Sequence, residues 1–139
     1  MTLVLDAGII VKWMLIDPDH ESDLARADAL MERIGSGADH AIMPPHWLAE
    51  VAAVLCRLSP RTAREDTRNL HFLDLEVLDD ENVYQRAAEL AIDLKHHLFN
   101  TLYHAVALEA HATLITADRR YWRKARSRGR IALLSEFNP

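Results

Sequence analysis

Four side chains could do chemistry together if the fold brings them to one place: Asp6, Glu50, Asn100 and Asp118. Asp6 ends the apolar run "TLVLD", Glu50 follows "HAIMPP" by a few residues, and Asp118 lies just past "ATLIT". Singly, each has an ordinary explanation. Asp6 and Asp118 suit helix caps, and Glu50, about 60° off the Trp47 stripe, suits a solvated helix edge. Gathered, they imply more. Carboxylates about 4 Å apart repel by roughly 4 kcal/mol at an effective dielectric near 20, so a fold that collects them calls for a cation. Oxygen ligands suit Mg2+ or Mn2+, and acids around such an ion suit phosphodiester hydrolysis. Three carboxylates serve one ion and are sparse for two. Asn100 stands where another carboxylate would make chemical sense. Read alone, it is a good N-cap for a helix from about Thr101.

The elements that must position these residues alternate. "TLVLD" is an apolar β-branched run suited to a strand buried on both faces. A helix follows through "IIVKWML", Asp17-Pro18 breaks it, and "ESDLARADALMERIG" predicts a second helix. "HAIMPP" is a short strand closed by two prolines. "HWLAEVAAVLCRL" has helical periodicity with Trp47, Val51, Val54 and Leu58 on one stripe. Ser59-Pro60 resembles a cap and first helical position for a helix to about Phe72. "LEVLD" is the next strand. Asp79 or Asp80 caps a helix whose apolar face is Val83, Ala87, Leu90, Ala91 and Leu94. The helix from Thr101, the strand "ATLIT", a helix over 119–128 and the strand "IALL" complete the chain. Strands alternating with helices predict an α/β fold, a parallel sheet of about five strands covered on both faces. Such sheets bind ligands at the carboxyl ends of their strands, which is where the three acids fall.

The 139 residues fit one domain, 1–139, and half are apolar. No apolar run approaches the roughly 20 residues of a membrane span, and the N-terminus lacks the pattern of a signal peptide. Cys56 is the only cysteine. It excludes an internal disulfide, makes a reducing cytoplasm the expected compartment, and among apolar neighbours reads as a buried small hydrophobe. The net charge of −5 argues against a general nucleic-acid binder, but residues 119–130, "RRYWRKARSRGR", hold seven of the 16 basic residues and no acid. This stretch is either a solvated helix face or a surface that meets phosphates. Arg119, Arg120, Arg123 and Lys124 are its candidate contacts, and Lys12 is either a further one or a side chain that only snorkels from a buried face.

The order and phrasing of these residues resemble the PIN-domain family, and more closely its VapC-type toxin ribonucleases. The marks are "LVLDAGIIVKW", "PPHWLAEVAAVL", "FNTLYHAVALEAHATLITADRRY" and "LLSEFNP", which together span nearly the whole chain. The resemblance implies a flavodoxin-like three-layer α/β/α sandwich, often dimeric, that holds Mg2+ or Mn2+ on clustered acids and cleaves RNA. Its natural partner would be a small cognate antitoxin covering the site. Asp6, Glu50 and Asp118 match three of the family's acids. Two positions depart from the pattern. Gly8 stands where the family usually has Ser or Thr, and Asn100 where it has Asp. Asn keeps the shape but loses the charge, so the resemblance implies an acidic metal site with one ligand neutralised.

Two other readings remain open on sequence. An inactive domain of this kind could bind RNA or an antitoxin without cutting, which Asn100 favours. A phosphoacceptor receiver domain also carries acids at strand ends, but "TLVLD" supplies one acid where an adjacent pair is expected. The eight histidines have no convincing metal spacing; His104 and His111 read as possible solvated residues, and Trp13, Trp47 and Trp122 as packing.

Overall fold

The computed structural model describes residues 1–15 and 21–138. Five strands, β1 (Thr2–Leu5), β2 (His40–Met43), β3 (Glu76–Val77), β4 (Thr113–Thr116) and β5 (Ile131–Leu133), form one parallel sheet in the order β3-β2-β1-β4-β5. Seven α-helices connect them: α1 (Ala7–Met14), α2 (Glu21–Gly35), α3 (Trp47–Leu58), α4 (Ala63–His71), α5 (Glu81–Leu94), α6 (Leu98–Glu109) and α7 (Arg119–Ala125). Short 3-10 turns at Arg126–Arg128 and Leu134–Glu136 flank β5.

Right-handed crossovers account for the layers. From β1 the chain steps one way to β2 and β3, which sends α1 to α4 to one face. It then crosses back to β4 and β5, which sends α5, α6 and α7 to the other. Contacts within the groups α1–α2, α1–α3, α3–α4 and α5–α6 agree with this division. The result is the expected α/β/α sandwich. β1 and β4 are its centre: Leu3, Val4, Leu5, Leu114 and Ile115 are buried, as a strand covered on both faces requires. The direction of winding reverses between these two strands, which makes their carboxyl ends the natural ligand crevice.

Several local expectations need correction. The break at Asp17-Pro18 lies outside the described residues. The buried stripe of α3 is Trp47, Val51 and Leu55, while Val54 is half-buried and Leu58 and Cys56 are exposed. Ser59 closes α3 and does not cap α4: its N–H donates to Leu55 O, and α4 begins only after Thr62. "LEVLD" pairs over just two exposed residues at the sheet edge. Asp80, of the two candidates, caps α5 by accepting from Asn82 N–H at 2.8 Å. The helix expected from Thr101 starts three residues earlier, with His97 as its cap residue, so Asn100 lies inside the first turn and is no N-cap. His104 is fully buried, its ring nitrogens 2.9 Å from Tyr121 Oη and 2.8 Å from Gly129 O. It is a satisfied core residue.

Candidate active site

Asp6 is delivered by β1. Its N–H continues the ladder to Ile115 O, and its own carbonyl accepts from Ile9 N–H to open α1. Its side chain does not cap that helix. Instead Asp6 Oδ2 accepts from Thr116 Oγ1 at 2.7 Å. The same Thr116 oxygen accepts from Asp118 N–H at 3.0 Å. One buried hydroxyl therefore ties the ends of β1 and β4 together. Asp118 Oδ1 caps α7 through Tyr121 N–H at 3.0 Å, which leaves its other oxygen available.

Glu50 arrives from the first turn of α3. His46 Nε2 lies 3.0 Å from Glu50 Oε2 and 2.8 Å from Phe99 O, joining α3 to the start of α6. Tyr103 Oη donates to Glu50 Oε2 across 3.4 Å. The acids share one field. Burial pushes the Asp6 carboxyl above the usual carboxylate range, the charges of Glu50 and Asp118 push it further, and the Thr116 hydrogen bond, with a smaller pull from the nearby Gly8 backbone, opposes the shift. By area Asp6 keeps some solvent contact, so the shift reflects dense surroundings more than complete enclosure. Two tyrosines register the same field. Burial, then Glu50 and Asp6, raise the Tyr103 phenol, while burial, then Asp6, with a smaller push from Asp118, raise that of Tyr121 against the pull of Arg128.

The donor set is hard oxygen, which suits Mg2+ or Mn2+. Among the described residues no three His, Cys, Asp or Glu side chains are drawn close enough to form a metal cage as they stand. An ion that keeps most of its waters does not need one, since Mg2+ commonly takes only one or two carboxylates. Gly8 leaves room beside Asp6: a Cβ there would meet nothing within 4 Å.

Asn100 lines a cleft with His46, Glu50, His97 and Phe99. Its Nδ2 position is 3.0 Å from His96 Nε2. His96 Nδ1 is 3.3 Å from Lys124 Nζ, which also donates to Lys95 O at 3.2 Å. Burial, then Lys124, lower the His96 pKa, while Asp118 pulls it up. Lys95 holds this corner in the left-handed conformation, φ 52°, as it ends α5. Arg120 and Lys124 line a cavity with Lys95, His96 and His97. The other basic candidates separate from them. Lys12 stands 3.9 Å from Asp23 Oδ2, Arg119 donates to Ser135 Oγ at 3.2 Å, and Arg123 is exposed outside that cavity. Trp122 lies under Arg126, 5.2 Å from ring centroid to guanidinium.

Sequence reasoning missed Thr116, His46, Tyr103 and His96. Three had a usable signal: Thr116 two residues before Asp118, and His46 and His96 each four before a site residue on or entering a helix.

A family model described as "PIN domain" matches residues 3–127. No curated protein matches the sequence. Among solved structures, the chain is similar to a toxin-antitoxin complex from Klebsiella pneumoniae, with a TM-score of 0.71 at 13% identity, covering 97% of this chain and 99% of that one. It is similar to VapBC2 from Rickettsia felis bound to a DNA fragment from its promoter, with a TM-score of 0.67 at 17% identity over 96% and 97%. For VapBC-1 from nontypeable Haemophilus influenzae the TM-score is 0.66 at 19% identity over 98% and 100%. At such identities the likeness is one of fold.

Proposed function

Because the chain belongs to the PIN domain family, we propose that it is a Mg2+- or Mn2+-dependent endoribonuclease, the VapC-type toxin of a toxin–antitoxin pair. The observation that carries this reading is the convergence on Asp6: Thr116 bridges its carboxylate to the Asp118 backbone, and burial, then the charges of Glu50 and Asp118, raise its pKa. Asp6, Glu50 and Asp118 would hold the ion. When bound, it would supply an acidified water and charge neutralisation at the phosphate. Thr116 keeps Asp6 aimed, His46 keeps Glu50 against α6, and Asn100 adds no charge, so cleavage by this chain is attenuated. Arg120 and Lys124 of α7, which share one cavity, approach the RNA backbone. The acidic cleft is the place for a basic side chain of a cognate antitoxin, and the active unit is a homodimer. The complexes similar in fold are themselves toxin–antitoxin assemblies, which supports the partner assignment.

Mn2+ calorimetry and cleavage of a structured RNA, each with Asp6→Ala and Asp118→Ala, test the proposal. Expected are loss of Mn2+ heat in both variants and cleavage that EDTA stops. Unchanged Mn2+ affinity in both removes the metal site. RNA binding without cleavage, even with Asn100→Asp, favours the second reading, a non-cutting domain that binds RNA or antitoxin, to which the Asn100–His96 contact lends weight.

A further inference from the structure

The acids have a basic neighbour. A cavity of about 380 Å3 is lined by Ala91, Lys95, His96, His97, Arg120 and Lys124. Lys95, Arg120 and Lys124 are the basic side chains of this lining. The hydrogen bonds inside this wall determine what Asn100 presents. An ammonium group only donates, so His96 Nδ1, 3.3 Å from Lys124 Nζ, accepts. The proton of the neutral ring then sits on Nε2. Nε2–H faces the Asn100 amide 3.0 Å away. Two donors cannot meet there, so the amide turns Oδ1 to the ring; the two ends of an amide are distinguished by such a network. The NH2 end is left for the cleft that Asn100 shares with Glu50, His46 and Phe99. Lys124 Nζ has three hydrogens and gives two to Lys95 O and His96. One remains for a ligand.

We propose that this wall is a phosphate seat, in which Lys124, Arg120 and Lys95 bind a backbone phosphate of RNA adjacent to the one at the acids, with the Asn100 NH2 donating to the same RNA from the adjoining cleft, with which the wall shares His97. His96 is a positioning residue that sets the amide. Position 100 thus addresses an anion, where a carboxylate would address a cation. The inference rests on the ribonuclease reading for RNA as the source of the phosphate; the donor geometry itself would suit free phosphate equally.

The test is a titration of the whole protein in EDTA, with inorganic phosphate in one arm and a short RNA in the other, read from the side-chain NH2 resonance of Asn100. Both ligands are expected to move that resonance, RNA at far lower concentration. Lys124→Gln should weaken RNA binding about tenfold and flatten its log–log salt slope by roughly one unit. Arg123→Gln, outside the cavity, should do neither. His96→Leu should abolish the response of the Asn100 resonance, and His96→Gln, which can still donate to the amide oxygen, should restore it. Equal effects of Lys124→Gln and Arg123→Gln would mean a diffuse basic helix and overturn the seat. RNA no tighter than phosphate would overturn RNA as its ligand. Because no metal is present, failure of the nuclease reading leaves these results unchanged, and the two outcomes stay separable.

Discussion

Asp6 belongs to the acids at the strand ends and Lys124 to the basic cavity beside them, and the chain holds the two by different means. Asp6 is fixed through its backbone, paired to β4 at the end of a buried strand and locked again by Thr116. Lys124 reaches its place on a long side chain from α7, held by two contacts at 3.2 and 3.3 Å. On the acidic floor, burial and then the charges of Glu50 and Asp118 raise the pKa of Asp6. The basic wall can adjust its side chains to a ligand. A site divided in this way can hold a compact cation on its rigid side and an irregular polyanion on its adaptable one.

Moving a residue from the wall to the floor should have the largest effect. Asn100→Asp gives His96 Nε2–H a carboxylate partner and leaves a charged oxygen for the cleft. Cleavage in Mg2+ or Mn2+ should rise on the order of 10²- to 10³-fold, Mn2+ affinity should rise with it, and RNA binding in EDTA should fall. Adding Asp6→Asn to that variant should erase the gain. A rise in cleavage with no change in Mn2+ affinity would break the division between the two sides.

Thr116→Val should loosen the floor without removing a charge. It strips a hydrogen bond from Asp6 and leaves the Asp118 N–H without its acceptor, so a stability loss of about 1–3 kcal/mol is expected. Cleavage should drop about tenfold, equivalent to roughly 1.4 kcal/mol in the barrier. Urea unfolding and a rate assay on the same preparation measure both. A stable variant with full activity would show that Thr116 only fills space.

A smaller effect concerns pH in the presence of chelator. The folded-state pKa of Asp6 is raised, so in that window the native protein binds more protons than the unfolded chain. Stability is fully present below the unfolded value and is lost as pH rises through the folded one. Asp6→Asn should therefore flatten the decline of thermal stability above about pH 4, the ordinary range for Asp. Mn2+ should reverse the decline in the wild type by favouring the charged form. A wild-type profile parallel to the variant's would contradict the crowding of acids on the floor.

The floor was legible in the sequence and much of the wall was not. Asp6 and Asp118 sit at the exits of short apolar runs that only a doubly covered strand explains, and strand order then brings the two exits together. The start of α6 was obscured because Leu98 and Phe99, its first residues, are exposed and so carry no core-facing periodicity. Misplacing that start made Asn100 look like a cap. The α3 stripe was ambiguous because "AAVLCRL" is apolar on several faces. Both series from Trp47 have helical spacing, and burial in the core selects Val51 and Leu55. His96 was legible only through its spacing of four from Asn100. Its role depends on Lys124, 28 positions away, and nothing local in the chain announces that meeting.

An engineer seeking a hardier scaffold would single out Lys95. It closes α5 at φ 52°, in a region that costs an L-residue roughly 1–2 kcal/mol and that glycine enters freely. Replacement by glycine would relax the backbone and could raise the melting temperature, while deleting one cation from the cleft. Thermal robustness and grip on a ligand would then pull in opposite directions at a single position, so selection for heat tolerance alone could erode recognition without touching any acid.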